Sequence, residues 1–455
     1  MPLSIVVLAA GQGKRMRSEL PKVLQPLAGR PLLAHVLDCA RELDPAAIHV
    51  VYGHGGEAVR AAFPDADLRW CLQTPQLGTG HAVARAIPGI PDEHTVLVLC
   101  GDVPLVRAAS LEGLLRAGGG LAILTAALPD PAGYGRIVRR AGKVAAIVED
   151  RDAVPEHAAI AEVNTGIMSL PAARLRGWLG RLSADNAQGE YYLTGVISMA
   201  FAEGVDVLGV QIEDTGEVLG INDKVQLASA ERAFQRRAAL ALMRAGVTVA
   251  DPERLDVRGN VTAGADVFLD VGVVLAGDVH LGDRVRIGPN CVISNATLGA
   301  DTLVHANSVI DGASTEIACE IGPFARLRPG TSLAARAKVG NFVEAKNSRI
   351  GAGSKVNHLS YVGDATVGAD VNVGAGTITC NYDGAAKHRT TIGDDAFIGS
   401  GVMLVAPVEI GAGATIGAGS TITKDAPAGT LSIARSRQTV VEGWRRPVKK
   451  RSEDE

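Results

Sequence analysis

Residues 8–16 read LAAGQGKRM, in which Gly11 and Gly13 let backbone donors approach phosphate oxygens while Lys14 and Arg15 balance several negative charges. This outlines a phosphate-binding loop, yet it matches neither the P-loop spacing GxxxxGK nor the dinucleotide spacing GxGxxG. Lys22, in ELPKVL, lies close enough along the chain to join the same charge cluster. Asp102 follows the apolar run TVLVLCG and precedes Pro104, which puts a carboxylate at a strand end. A carboxylate there suits Mg2+, a hard ion that takes oxygen ligands and bridges to substrate phosphates. One aspartate is an incomplete site. Asn222, in LGIND, offers a neutral oxygen as its partner or, alternatively, a helix cap.

A second set of reactive side chains lies in the carboxyl-terminal half. Arg328 and Lys346 are 18 residues apart, and His358, Tyr361 and Asn372 follow. Two cations held side by side can clamp a phosphate or, alternatively, stand as solvated surface charges. A neutral imidazole can take a proton from an attacking group, so His358 reads as a candidate general base or, alternatively, as a satisfied structural histidine. The polar stretch TCNYDGAAKHRTT (379–391) adds Asn381, Tyr382, Asp383, Lys387, His388 and Arg389 and reads as an inserted loop reaching a ligand or a neighbouring subunit.

The elements that must position these groups differ between the two halves. LSIVVLAA, AIHVVYG (47–53), TVLVLCGDVP (95–104) and LAILTAAL (121–128) read as buried strands, and PLLAHVLDCARELD (31–44) has apolar residues at helical spacing. Alternating strands and helices predict a mostly parallel sheet with ligands beyond the carboxyl ends of its strands. The segment 223–246 is rich in alanine and leucine, starts with Asp223 and Gln226 as a capping-box variant, and stops at Gly246. Beyond residue 256 the period becomes six: Val261, Val267, Val273, Val279 and Val285 form one file, and Ile392, Ile398, Leu404, Ile410, Ile416 and Ile422 another. Three hexapeptides per coil, with the aliphatic file inward, predict a parallel β-helix of roughly nine coils of 18 residues over 256–425.

The 455 residues are enough for two or three domains. Forty-five Lys and Arg against 49 Asp and Glu leave a formal charge of -4, which gives no electrostatic case for nucleic acid. No apolar run approaches the roughly 20 residues of a transmembrane segment. The 6 cysteines lack metal-binding spacing, and the amino terminus lacks a secretory pattern, so a cytoplasmic location is expected. The terminal WRRPVKKRSEDE reads as a lightly packed tail.

The motifs LAAGQGKRM, LPKVL, QLGTGHA, CGDVP, GYGRI, IVED, EVNTGI and NAQGEYYLT, followed by hexapeptide repeats, closely resemble the bacterial bifunctional uridyltransferase/acetyltransferases that make UDP-N-acetylglucosamine. Lys14 and Cys100 depart from the residues common in that family. The resemblance implies an α/β chain with a Rossmann-like nucleotidyltransferase domain (1–222), a linking helix (223–250) and a left-handed parallel β-helix with its tail (251–455). It implies catalytic roles for Arg15, Lys22 and His358, and Mg2+ ligation by Asp102 and Asn222. UTP and UDP-sugar contacts carry over to Leu8, Gly11, Gly13, Lys22, Gln73, Gln76, Gly78, Thr79, Gly135, Glu149, Asn164 and Asn222. Glucosamine-phosphate contacts carry over to Arg328, Lys346, Tyr361, Asn372 and Lys387. Acetyl-CoA contacts carry over to Ala375, Asn381, Tyr382, Ser400, Ala418 and Arg435. A homotrimer with acetyltransferase sites between subunits is expected, and the competing reading is a structural trimer that displays a sugar-nucleotide-binding domain.

Overall fold

A computed structural model describes residues 2–117 and 120–448. The chain divides into two compact units, Met1–Ala238 and Ala239–Glu455. In the first, the apolar runs form β1 (Leu3–Leu8), β2 (Ala47–Tyr52), β3 (Leu68–Leu72), β4 (Thr95–Cys100) and β5 (Leu121–Ala127), then β6 (Arg136–Arg140), β7 (Lys143–Val148), β8 (Glu162–Pro171) and β9 (Val207–Gln211). Their order is β9-β5-β8-β4-β1-β2-β3, with the β6–β7 hairpin attached through β8. β1 pairs in parallel with β2 and β4, whereas β8 runs antiparallel to β4 and β5. The sheet is therefore mostly parallel, with β8 and the hairpin strand β7 reversed.

Both faces of this sheet are covered, as the unbroken apolar runs require. In β1, Ile5 and Val7 join one core with Leu33, Val36 and Leu37 of α1 (Leu32–Glu42). Val6 points the other way, into a core with Val83, Val98 and Trp178. The parallel strands β1 to β4 thus direct their carboxyl-terminal loops to one edge.

The predicted linking helix is α3 (Lys224–Arg244), which α2 (Thr79–Ala86) and several further helices precede in the chain. Asp223 Oδ1 accepts from the Gln226 N–H at 2.8 Å, and Gln226 Oε1 accepts from the Asn222 N–H at 2.7 Å, a reciprocal cap. Leu227, Ala230 and Phe234 pack on Leu27, Leu32, Leu105 and Ile221, so the amino-terminal part of α3 belongs to the first unit. The two units divide within this helix. Gly246 follows it at φ 101°, where a side chain would be strained.

The second unit is a parallel β-helix of short strands stacked into three faces. Ile392, Ile398, Leu404, Ile410, Ile416 and Ile422 are all buried, as are Val267, Val273, Val279 and Val285, while Val261 near the start is only half-buried. The expected uniform coil of 18 requires correction. Leu269 pairs with Ile287 and Ile398 with Ile416, 18 residues apart. In the middle, Val339 pairs with Val356 and Val356 with Val373, 17 apart. Register first slips at a corner, between Ala276 and Val279, where Gly277 stands above Asn295. Losing a residue at a corner leaves the inward files aligned, because only the short strands between corners are paired. Val373 pairs with Ile398, 25 residues on; the excess of seven or eight residues lies inside the predicted loop 379–391, whose ends, Thr379–Cys380 and Thr390–Thr391, are instead paired strand residues.

All six cysteines are free, and no helix among the described residues is long and apolar enough to cross a membrane. Of the predicted tail, residues 444–448 are exposed and the remainder lies outside the described residues. Ile398 is wholly buried, whereas its neighbour Phe397 is 51% exposed. Ile398→Ala is therefore expected to cost about 2–5 kcal/mol and Phe397→Ala less than about 1 kcal/mol, as read from urea denaturation followed by circular dichroism.

Candidate active sites

The carboxyl ends of β1 to β4 surround a cleft of about 600 Å³. Leu8, Gly11, Gly13, Arg15, Lys22, Gln73, Gln76, Gly78, Thr79, Asp102 and Asn222 all line it, so residues more than two hundred positions apart in the sequence converge here. Gly13 is at φ 61°, and a Cβ there would sit 2.7 Å from that of Lys22. The missing side chain lets the glycine loop pass directly over Lys22. Gln76 Nε2 donates to the Ala10 carbonyl at 2.7 Å, an approach permitted because Gly53 has no Cβ to block it. Gln73 Nε2 donates to the Gly78 carbonyl at 2.9 Å, and Thr79 Oγ1 accepts from the Leu193 N–H at 3.0 Å. These bonds fix the cleft wall before any ligand arrives.

Asp102 and Asn222 are joined by the backbone, since the Ile221 N–H donates to the Asp102 carbonyl at 2.9 Å. Lys22 Nζ donates to both Asp102 Oδ2 and Asn222 Oδ1. The two oxygens therefore converge on one positive charge, and an ammonium stands where a metal cation would bind. Among the described residues no group of three His, Cys, Asp or Glu forms a metal cluster. The donor set fits Mg2+ held by two protein oxygens, with phosphate and water completing the shell. Cys100 lines the same cleft, and burial pushes its thiol up to about 12, so it is a packing group rather than a nucleophile.

Gly135, Glu149 and Asn164 form a second group, outside the residues that line this cleft. The Asn164 N–H donates to the Gly135 carbonyl at 2.7 Å, and a Cβ on Gly135 would meet Glu149 Oε2 at 3.4 Å. Glu149 Oε1 accepts from the Thr194 hydroxyl at 2.8 Å. Burial raises the Glu149 pKa against the opposing effect of that hydrogen bond. Tyr134, beside Gly135, is half-buried, and its burial raises the phenol pKa. Sequence reasoning did not single out Gln12, Glu190, Tyr134 or Thr194. Glu190 and Thr194 lie within the quoted NAQGEYYLT and Tyr134 within GYGRI, so a signal was present.

On the β-helix, the pairings Arg326↔Glu344 and Leu327↔Ala345 set Arg328 beside Lys346 on successive coils. Arg328 Nη1 donates to Glu344 Oε1 at 2.8 Å. The neighbouring Lys387 ammonium, and then Arg328, hold Lys346 below the ordinary lysine range. Clustered cations of this kind attract an anion. Lys387 reaches Lys346 from the inserted loop, which is a tight turn: Asp383 Oδ1 accepts from the Ala385 and Ala386 N–H groups at 2.8 and 2.7 Å. Asn381 is buried and bound to Asp364, whereas Tyr382 is exposed.

His358 ends one strand, and Tyr361 begins the next around a corner. Asn372 pairs with Lys355, at the far end of the His358 strand, so a single chain does not bring Asn372 and His358 together. Above His358 a column of small residues rises. The Gly376 N–H donates to the His358 carbonyl, Gly401 to Ala375, and Gly419 to Ser400. These bonds stack Ala375, Ser400 and Ala418 along one corner. Arg435 Nη1 closes the column by donating to the Ala418 carbonyl at 2.8 Å. Asn341, which sequence reasoning missed, lies directly below His358.

Two family models match the chain: the MobA-like NTP transferase domain over residues 5–165 and the bacterial transferase hexapeptide (six repeats) over 261–295 and 389–424. The chain is 61% identical over 447 residues to the "Bifunctional protein GlmU" of Alkalilimnicola ehrlichii, covering 98% of this chain and 96% of the relative. It is 60% identical over 452 residues to the protein so named in Xanthomonas euvesicatoria, covering 99% and 100%. It is 57% identical over 453 residues to that of Aromatoleum aromaticum, covering 99% and 100%.

The raised Glu149 pKa has a consequence for stability. The native state retains a proton that the unfolded chain releases at lower pH, so Glu149 lowers stability as pH rises from its unfolded value through its folded value. Glu149→Gln removes this dependence. Its melting temperature is expected to gain on that of the unaltered chain between about pH 4 and about pH 7, as read by differential scanning calorimetry.

Proposed function

The chain belongs to the GlmU family of bifunctional proteins, and on that premise we propose that it makes UDP-N-acetylglucosamine by two transfers at separate sites. The carboxyl-terminal unit moves the acetyl group of acetyl-CoA to glucosamine 1-phosphate. The amino-terminal unit then moves the uridylyl group of UTP to N-acetylglucosamine 1-phosphate. The observation that carries this reading is the pairing of a cation-rich cleft at the strand ends with a β-helix that bears clustered cations on one face and a histidine at a strand end of another.

In acetyl transfer, Arg328, Lys346 and Lys387 hold the sugar phosphate, with Tyr361 orienting the sugar. The uncharged amine attacks the thioester carbonyl carbon, and His358 takes the amine proton as the C–N bond forms and the C–S bond breaks. Coenzyme A leaves as the thiol once protonated. Its arm lies along the Ala375–Ser400–Ala418 column, where small side chains allow close approach, with Arg435 and the Asn381–Tyr382 loop at its sides. The thioester is already activated, so no enzyme nucleophile is needed.

In uridylyl transfer, a phosphate oxygen of the sugar attacks the α-phosphorus of UTP and pyrophosphate leaves. The barrier is set by alignment and by crowding of negative charge. Asp102 and Asn222 would hold Mg2+, which when bound would supply charge neutralisation at the phosphates. Leu8, Gln73, Gln76, Gly78 and Thr79 hold the uridine end, and Gly135, Glu149 and Asn164 hold the sugar. Arg15 and Lys22, with the backbone donors near Gly11 and Gly13, neutralise the triphosphate.

The working assembly is a homotrimer whose acetyltransferase sites lie between subunits. Support comes from the separation of Asn372 from His358 within a chain. Further support comes from exposed Phe324 and Phe342, whose rings stack at 5.2 Å, and exposed Leu359 along one corner.

Asp102→Ala in the full chain is expected to lower uridylyl transfer by at least about a hundredfold while acetyl transfer persists. His358→Ala is expected to do the reverse, by about a hundredfold or more. Assays with each substrate pair supplied separately, alongside analytical ultracentrifugation, check both the division of labour and the trimer. A folded trimer lacking both activities would instead support the display scaffold.

A further inference from the structure

Asn341 and His358 occupy paired positions on adjacent coils, in the strands Lys338–Asn341 and Lys355–His358. The core behind them is closed by Val339 and Val356, both fully buried, which hold the coils in register. Gly340 sharpens this contact: a Cβ there would fall 2.0 Å from the Asn357 carbonyl oxygen, so only glycine lets the two strands pack this closely. At the corner, the Leu359 N–H donates to the Asn341 carbonyl at 3.1 Å. Backbone stacking thus places the Asn341 side chain next to the imidazole, and the two are in contact, with His358 Nδ1 2.7 Å from Asn341 Oδ1.

A carboxamide oxygen can only accept. With Asn341 in this orientation, Nδ1 carries the ring proton and Nε2 keeps its lone pair. We infer that Asn341 is a positioning residue for acetyl transfer, holding His358 in the tautomer and ring orientation that present Nε2 to the attacking amine. The inference rests on the reading of His358 as the general base. It goes beyond that reading by assigning a specific partner to Nδ1. On the coil above, the continued register brings Ala375, whose methyl group cannot accept the Nδ1 proton. Ring orientation is therefore set from below.

The consequence is separable from folding, because the stability of these coils comes from Val339 and Val356, not from a polar side chain at the corner. Asn341→Leu keeps the approximate size and removes the acceptor, whereas Asn341→Asp retains one. In the full-length chain, Asn341→Leu should lower kcat for acetyl transfer by about 10- to 100-fold. KM for glucosamine 1-phosphate should remain within about twofold, because the phosphate clamp is untouched. Asn341→Asp should recover most of the lost kcat, and both variants should retain the melting temperature of the unaltered chain.

His358→Ala, measured in parallel, keeps the two readings distinguishable. If His358→Ala remains active in acetyl transfer, the base assignment falls, and the role of Asn341 falls with it. If His358→Ala is inactive while Asn341→Leu has normal kcat, the base stands and the positioning role is overturned. The positioning role is likewise overturned if Asn341→Leu and Asn341→Asp lose kcat equally, or if the loss appears in KM instead.

Discussion

Parallel strand pairing is the constraint from which both halves of this chain follow. A parallel strand cannot return to its neighbour by a tight turn, so every strand must be followed by a connection long enough to go back. In the first unit those connections are helices and loops, and the carboxyl ends of β1 to β4 gather at one edge. In the second unit each return is a full coil, and the next strand lands one spacing, about 4.8 Å, above the last. One rule of backbone hydrogen bonding thus yields a cleft in one case and a set of vertical columns in the other.

Each geometry suits the chemistry placed on it. A cleft ringed by loops from different strands collects unlike groups: backbone donors of the glycine loop, the Lys22 ammonium, and the oxygens of Asp102 and Asn222. Phosphoryl chemistry needs such a mixture, since charge of one sign must be met from several directions. A column on a prism instead repeats one position coil after coil. His358, Ala375, Ser400 and Ala418 share such a column, and a long substrate arm can follow it. Where the coil length changes to accommodate the 379–391 loop, Lys387 is delivered to Lys346 without disturbing the buried files.

Local backbone choices serve the same ends. Gly13 and Gly53 clear space for Lys22 and Gln76 in the cleft, and Gly340 brings the Asn341 and His358 strands together. In each case the absence of a Cβ allows a close approach that any larger residue would block. The side chains that hold the core, Ile398 and Val356 among them, are aliphatic and fully buried, which leaves corners and strand ends available for polar work.

The sequence by itself determined the kinds of element present. Apolar runs of strand length and a strict six-residue period report burial directly, because each buried side chain must be apolar and must recur at the spacing of its backbone. Charged and oxygen-bearing residues at strand ends, such as Lys22 and Asp102, were visible for a related reason: such positions follow runs whose burial is already legible. What only the tertiary structure decided depends on register and convergence. The 17-residue coils arise at corners, where the inward step shortens from six to five, as from Ile293 to Leu298 and from Ala345 to Ile350, and strand register decides which residues then stack. The contact of Lys22 with both Asp102 and Asn222 joins residues up to 200 positions apart. The Asn341–His358 pair depends on which residues stack between coils, and it is set by strand register rather than by either residue's neighbours along the chain.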